Sequence, residues 1–149
     1  MELISKTTND PFALARFIHA QEGTYERVLS ELRVGQKRSH WMWYVFPQID
    51  GLGRSSTARH YAIKSEEEAR EYLNHPILGA RLLECTETVL GIEGRSVSEI
   101  FGFPDYIKLR SSMTLFAYIS EPDCVFDFVL DKFFDGYRDN KTLQLLETK

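Results

Sequence analysis

A chain of 149 residues has the length of one ordinary domain and buries roughly two thirds of the surface its unfolded form exposes, so no disulfide or metal staple is required. Hydrophobic residues at 43% and charged residues at 27% exclude a disordered chain and a membrane protein. A formal charge of −4, from 18 Lys and Arg against 22 Asp and Glu, disfavours a polyanion such as duplex DNA as partner of the whole molecule.

Residues 1–9 read as an N-terminal lead without the charged-then-apolar pattern of a signal peptide. Asp10-Pro11 then predicts a helix start, an N-cap followed by proline at the first helical position. The apolar residues from Phe12 to Leu32 fit a helix that Gly23 bends or divides and Val34-Gly35 stops. From Lys37 to Gln48 the apolar run is too continuous for periodicity to separate a buried helix from a strand. We favour a short helix ended by Pro47. Asp50 to Ser56 has the glycines and small polar residues of a loop, with Ser55 or Ser56 placed to cap a short helix through Tyr61.

Ser65-Glu66-Glu67-Glu68 is a capping-box pattern opening a helix to about Asn74. After His75-Pro76, Leu78, Leu82, Cys85 and Val89 stack on one helix face. Ser96 to Glu99 offers a second capping box. Leu109, Met113 and Phe116 predict a buried helix from Asp105 that ends at Glu121-Pro122. A further helix carries Phe126, Val129, Leu130 and Phe133 and closes at Gly136, and residues 142–149 add at most a frayed turn. The expectation is an all-α fold: a single domain, residues 1–149, of about seven helical segments around one core.

Three clusters carry the chemistry. Lys37 to Gln48 gathers cations, an imidazole, two indoles and an amide: Trp41 and Trp43 have rings that can stack on a planar ligand, Lys37 and Arg38 can neutralise phosphate, and Gln48 can hydrogen-bond. Its aromatic residues equally suit a core. His40 is the candidate general acid or base, or else a ring satisfied by a carbonyl. The loop Gly51-Leu52-Gly53-Arg54-Ser55-Ser56 has glycines that let backbone approach an anion and, in Arg54 and Ser55, groups that hold one. It lacks the spacing of a P-loop or a dinucleotide fingerprint, and an ordinary capped loop is the alternative. Third, Lys108, Ser111 and Ser112 share a helix face, a cation with two hydroxyls or else close helix packing.

His19, His60 and His75 lack metal-ligand spacing, and no cofactor or metal is expected. Cys85 and Cys124 fall in apolar stripes, with no CxxC pattern. Their number and the absence of a leader pattern place the protein in the cytoplasm.

The chain resembles the domain-of-unknown-function family 1810. The residues that carry the likeness are Asp10-Pro11-Phe12, Arg16-Phe17, Gln21, Tyr25, Lys37 to Gln48, Gly51 to Ser55, Glu68-Ala69, Tyr72-Leu73, Pro76 to Gly79, Arg81-Leu82 and Lys108 to Phe116. The resemblance implies a small, mainly helical fold, and it brings no reaction, cofactor or catalytic residue with it. Its motifs coincide with the three clusters. The expected function is therefore binding of a small anionic ligand, a nucleotide or other phosphorylated metabolite, where the clusters meet. The alternatives are a protein-interaction module with an exposed aromatic and Arg patch, and single-stranded nucleic acid binding, which the net charge disfavours.

Overall fold

The computed structural model describes residues 10–148. The expected N-terminal lead, residues 1–9, lies outside the described residues. Ten helices among the described residues replace the expected seven or so. They are α1 (Ala15–Gln21), α2 (Tyr25–Val34), α3 (Met42–Val45), α4 (Ser56–Tyr61), α5 (Glu66–Asn74), α6 (Leu78–Leu90), α7 (Val97–Phe101), α8 (Asp105–Tyr118), α9 (Val125–Phe134) and α10 (Asn140–Thr148). The larger number arises because Gly23, at φ 73°, divides the first helix, and because several connections hold a single turn of their own. The terminal segment is a nine-residue helix with Thr142 and Leu146 buried. Asp139 caps it, its carboxylate accepting from the Thr142 backbone N–H and hydroxyl.

The core is one continuous cluster of buried side chains. α6 is its spine, packed against α2, α5 and α9, while α8 contacts α5, α7, α9 and α10. Leu78, Leu82, Cys85 and Val89 are buried as their spacing requires, and so are Leu109, Met113 and Phe116. Gly79 permits the close approach of α5 and α6, since a Cβ there would lie 1.9 Å from the Leu73 carbonyl oxygen. One parallel bridge between Ile49 and Ile63 joins the two ends of the loop that holds α4.

Two helix starts differ from their sequence patterns. Leu14 rather than Asp10 is the N-cap of α1, although the Asp10 carboxylate accepts from the N–H groups of Leu14 at 2.8 Å and Ala15 at 3.1 Å. A turn comes first, however, with Ala13 at φ 54°, so α1 begins at Ala15 rather than Pro11. At α5 Ser65 caps as expected, but Glu68 does not return to the Ser65 N–H. Its buried carboxylate takes the Lys64 N–H at 2.8 Å and the Arg16 guanidinium at 2.8 Å. A buried charge needs the stronger, ionised partner. The second box, Ser96 with Glu99, is complete. No helix among the described residues is long and apolar enough to cross a membrane.

Candidate functional site

The segment from Lys37 to Trp41 is organised from α2. Glu31, near the C-terminal end of that helix, is buried on the same face as Val28 and Leu32. Its carboxylate accepts from the Arg38 N–H (2.9 Å), the Ser39 N–H (3.1 Å), the Ser39 hydroxyl (2.5 Å) and the Trp41 indole N–H (2.8 Å). Burial works against the charge, but the Ser39, Arg38 and Trp41 donors outweigh it and hold the carboxyl down at about 2. Trp41 is thereby enclosed and wholly removed from solvent. It cannot stack on a ligand, which corrects its expected role.

Lys37 is also committed. Its ammonium donates to the Ser39 carbonyl at 2.6 Å, pairs with Asp105 at 2.7 Å, and lies 5.0 Å from the Trp41 ring centre. Asp105 opens α8, where the helix N-terminus favours a carboxylate. One turn on, Lys108 reaches the same carboxylate at 3.4 Å, a long contact, and sets its ammonium 3.8 Å from the Trp43 ring centre. Two cations thus share one carboxylate, and Lys108 holds the weaker share.

Trp43, two residues from the buried indole, is only half-buried. With Gln48, Gly53 and Tyr61 it lines a shallow recess of about 10 Å³, room for a single water. Gly53 is required sterically: a Cβ there would lie 2.6 Å from that of Ala58 and 3.8 Å from the Trp43 ring edge. Neither the Gln48 amide nor the Trp43 indole N–H has a hydrogen-bond partner among the described residues. The structure therefore joins Trp43, Gln48, Gly53 and Lys108, two residues from the first sequence cluster and one from each of the others.

The other candidates lie elsewhere. The Ser55 hydroxyl accepts from the Ala58 N–H at 3.0 Å and caps α4. Buried Ser111 donates to Asp139 at 3.0 Å, tying α8 to the cap of α10. Ser112 is fully buried and its hydroxyl has no partner among the described residues; on α8 it stands one turn beyond Lys108. His40 and Arg54 are exposed and make no side-chain bond to the described residues. Arg38, also exposed, donates only to Gln36 at 3.1 Å.

Sequence reasoning missed Glu31 and Asp105. The signal for Glu31 is a carboxylate at a position the apolar periodicity assigns to the core. The same signal marks Gln21, which donates to the Tyr44 carbonyl at 2.8 Å and accepts from Arg81 at 3.1 Å. Around it Tyr25 donates to Glu84 at 2.5 Å, and burial raises the Tyr25 and Tyr72 hydroxyls above their ordinary range. Burial likewise pushes the Cys85 thiol up to about 12, so it stays protonated and unreactive. This second polar cluster is structural.

Comparison with known proteins agrees with the architecture. A family model described as protein of unknown function (DUF1810) matches residues 11–146. The crystal structure of the conserved hypothetical protein Rv1873 from Mycobacterium tuberculosis is 51% identical and superposes with a TM-score of 0.92, over 94% of this chain and all of that one. No curated protein matches.

Proposed function

We propose, from the premise that the chain belongs to this family of proteins of unknown function, that it binds a small anionic ligand laid across the Trp43 ring and held by Lys108. The observation that carries the reading is the Lys108 ammonium 3.8 Å from the centre of a half-buried indole, with only a 3.4 Å contact to the carboxylate it shares. An incoming phosphate or carboxylate competes for that ammonium, while a planar group rests on the ring. Gln48 supplies an uncommitted amide. The recess is too small to enclose a nucleotide, so the ligand lies over it, with Arg54 on the neighbouring loop as a further cation. His40 has no group to orient it, and no catalytic step is assigned to it.

The test is a thermal-shift screen against nucleotides, sugar phosphates and inorganic phosphate. A ligand at ~100 times its dissociation constant adds about 2.7 kcal/mol to the folded state, and Lys108→Ala removes the shift while leaving the unliganded midpoint nearly unchanged. A ligand whose shift survives that substitution binds elsewhere and contradicts the reading.

A specific observation favours a protein partner as the second reading. Phe103 is 74% exposed beside exposed Pro104 and Ile107, its ring 6.0 Å from that of Tyr106. Apolar clusters of this kind anchor protein interfaces, and Phe103→Ser would abolish capture of such a partner without loss of fold.

A further inference from the structure

A larger hollow than the recess at Trp43 lies elsewhere. About 510 Å³ lies between the turn that precedes α1 and the segment running from the end of α4 into α5, within the size range of small-molecule sites. One wall is apolar: exposed Pro11 and Ala13 with half-buried Phe12 between them. The other carries Arg59, His60 and Lys64.

Both walls are fixed in advance by a single side chain at the floor. Arg16 donates to the Phe12 carbonyl at 2.6 Å and the Ala13 carbonyl at 2.9 Å on one side. On the other it donates to the His60 carbonyl at 2.7 Å and the Ala62 carbonyl at 2.9 Å. Its charge is met by Glu68 at 2.8 Å, a carboxylate that is 1% exposed. Ala13 is held in the left-handed region, at φ 54°, which is strained for a residue with a Cβ. The Arg16 bond to its carbonyl and the Asp10 bonds to the Leu14 and Ala15 N–H groups over-determine that turn, which leaves Pro11 exposed and Phe12 half-buried at the rim. The hollow is therefore preformed, and it needs no closure to take a ligand.

Its charge balance is one-sided. Arg16 and Glu68 cancel. Lys64 donates to the Arg59 carbonyl at 2.8 Å and comes within 4.0 Å of Asp50, a surface contact of little strength. The Arg59 guanidinium makes no ion pair or hydrogen bond to the described residues. Glu68 is the one carboxylate among the described residues that line the hollow. An apolar wall thus faces an unneutralised guanidinium and a weakly neutralised ammonium. We propose that this hollow is a second binding site, distinct from the Trp43 face, for an amphipathic anion: a carboxylate or phosphate monoester at Arg59 and Lys64, with an aliphatic arm against Phe12 and Pro11.

The experiment uses octanoate, below the concentration at which it forms micelles, with acetate and octan-1-ol as its separate halves. Binding to the full chain is followed by amide chemical shifts. The expected result is that octanoate binds at least ~10-fold more tightly than either half, with shifts centred on Ala13, His60, Lys64 and Ser65. The double variant Arg59→Ala/Lys64→Ala weakens octanoate by a similar factor and leaves octan-1-ol unchanged, and Arg59→Glu does the same by reversing one charge. Lys108→Ala changes nothing here, so this proposal and the Trp43 reading fail separately. Octanoate binding no tighter than octan-1-ol, equal binding by the double variant, or shifts centred on Trp43 would each overturn the assignment.

Discussion

Trp41 and Trp43 stand two residues apart in one short segment, and the fold treats them oppositely. Trp41 has its indole N–H on a buried carboxylate and its ring inside the core. Trp43 has one face under an ammonium, and neither its N–H nor the neighbouring Gln48 amide has a partner among the described residues. Their surroundings differ in saturation rather than in composition, since each pairs an indole with a lysine and the two lysines share Asp105. A polar group satisfied within the protein holds the fold; one left half-buried without a partner is available to something else.

Substitutions widen or collapse that contrast. Trp41→Ala opens a large cavity and strands a charged acceptor, for an expected loss of about 3–5 kcal/mol in denaturant unfolding; Trp43→Ala costs less than half of that, because its ring is already partly in water. Acid acts on the Trp41 side through Glu31. The Glu31 carboxyl lies at about 2 in the folded protein against an ordinary 4.5. Its stabilisation is therefore full above pH 4.5 and lost as the pH falls toward 2, on the order of 3 kcal/mol across that window. Urea titrations at a series of pH values detect this step, which Glu31→Gln eliminates.

Gly53→Ala attacks the other side. The added methyl collides with Ala58 and forces the loop off the Trp43 ring edge, an overpacking worth about 1–3 kcal/mol, together with a change in Trp43 emission that Trp41 does not share. Smallest of all, His40→Ala and Arg54→Ala alter stability by no more than about 0.5 kcal/mol, as expected of exposed side chains without partners. Arg54→Ala nonetheless weakens anion binding measured by calorimetry.

Much of the helical layout was legible because its signals are local. Ser55, Ser65 and Ser96 cap helices, Gly23 and Gly35 divide and stop them, and the stripe from Leu78 to Val89 is buried throughout. The site was legible only as three clusters. Periodicity cannot orient a continuous apolar run, so nothing local separated Trp41 from Trp43. Glu31 acts on partners 7 to 10 residues away, Asp105 on Lys37 at a separation of 68, and Glu68 on Arg16 at 52. Asp10 shows the limit of a local rule: its carboxylate reaches the Ala15 N–H, but an intervening turn moves the helix start from Pro11 to Ala15 and makes Leu14 the N-cap.

The most direct test follows the two indole N–H resonances of the protein while nucleotides, sugar phosphates and phosphate are titrated in. The account predicts that at least one such anion moves the Trp43 resonance saturably, leaves the Glu31-bound Trp41 resonance in place, and loses its effect in Lys108→Ala. A Trp43 resonance that no anion moves, or that moves equally in Lys108→Ala, would contradict it.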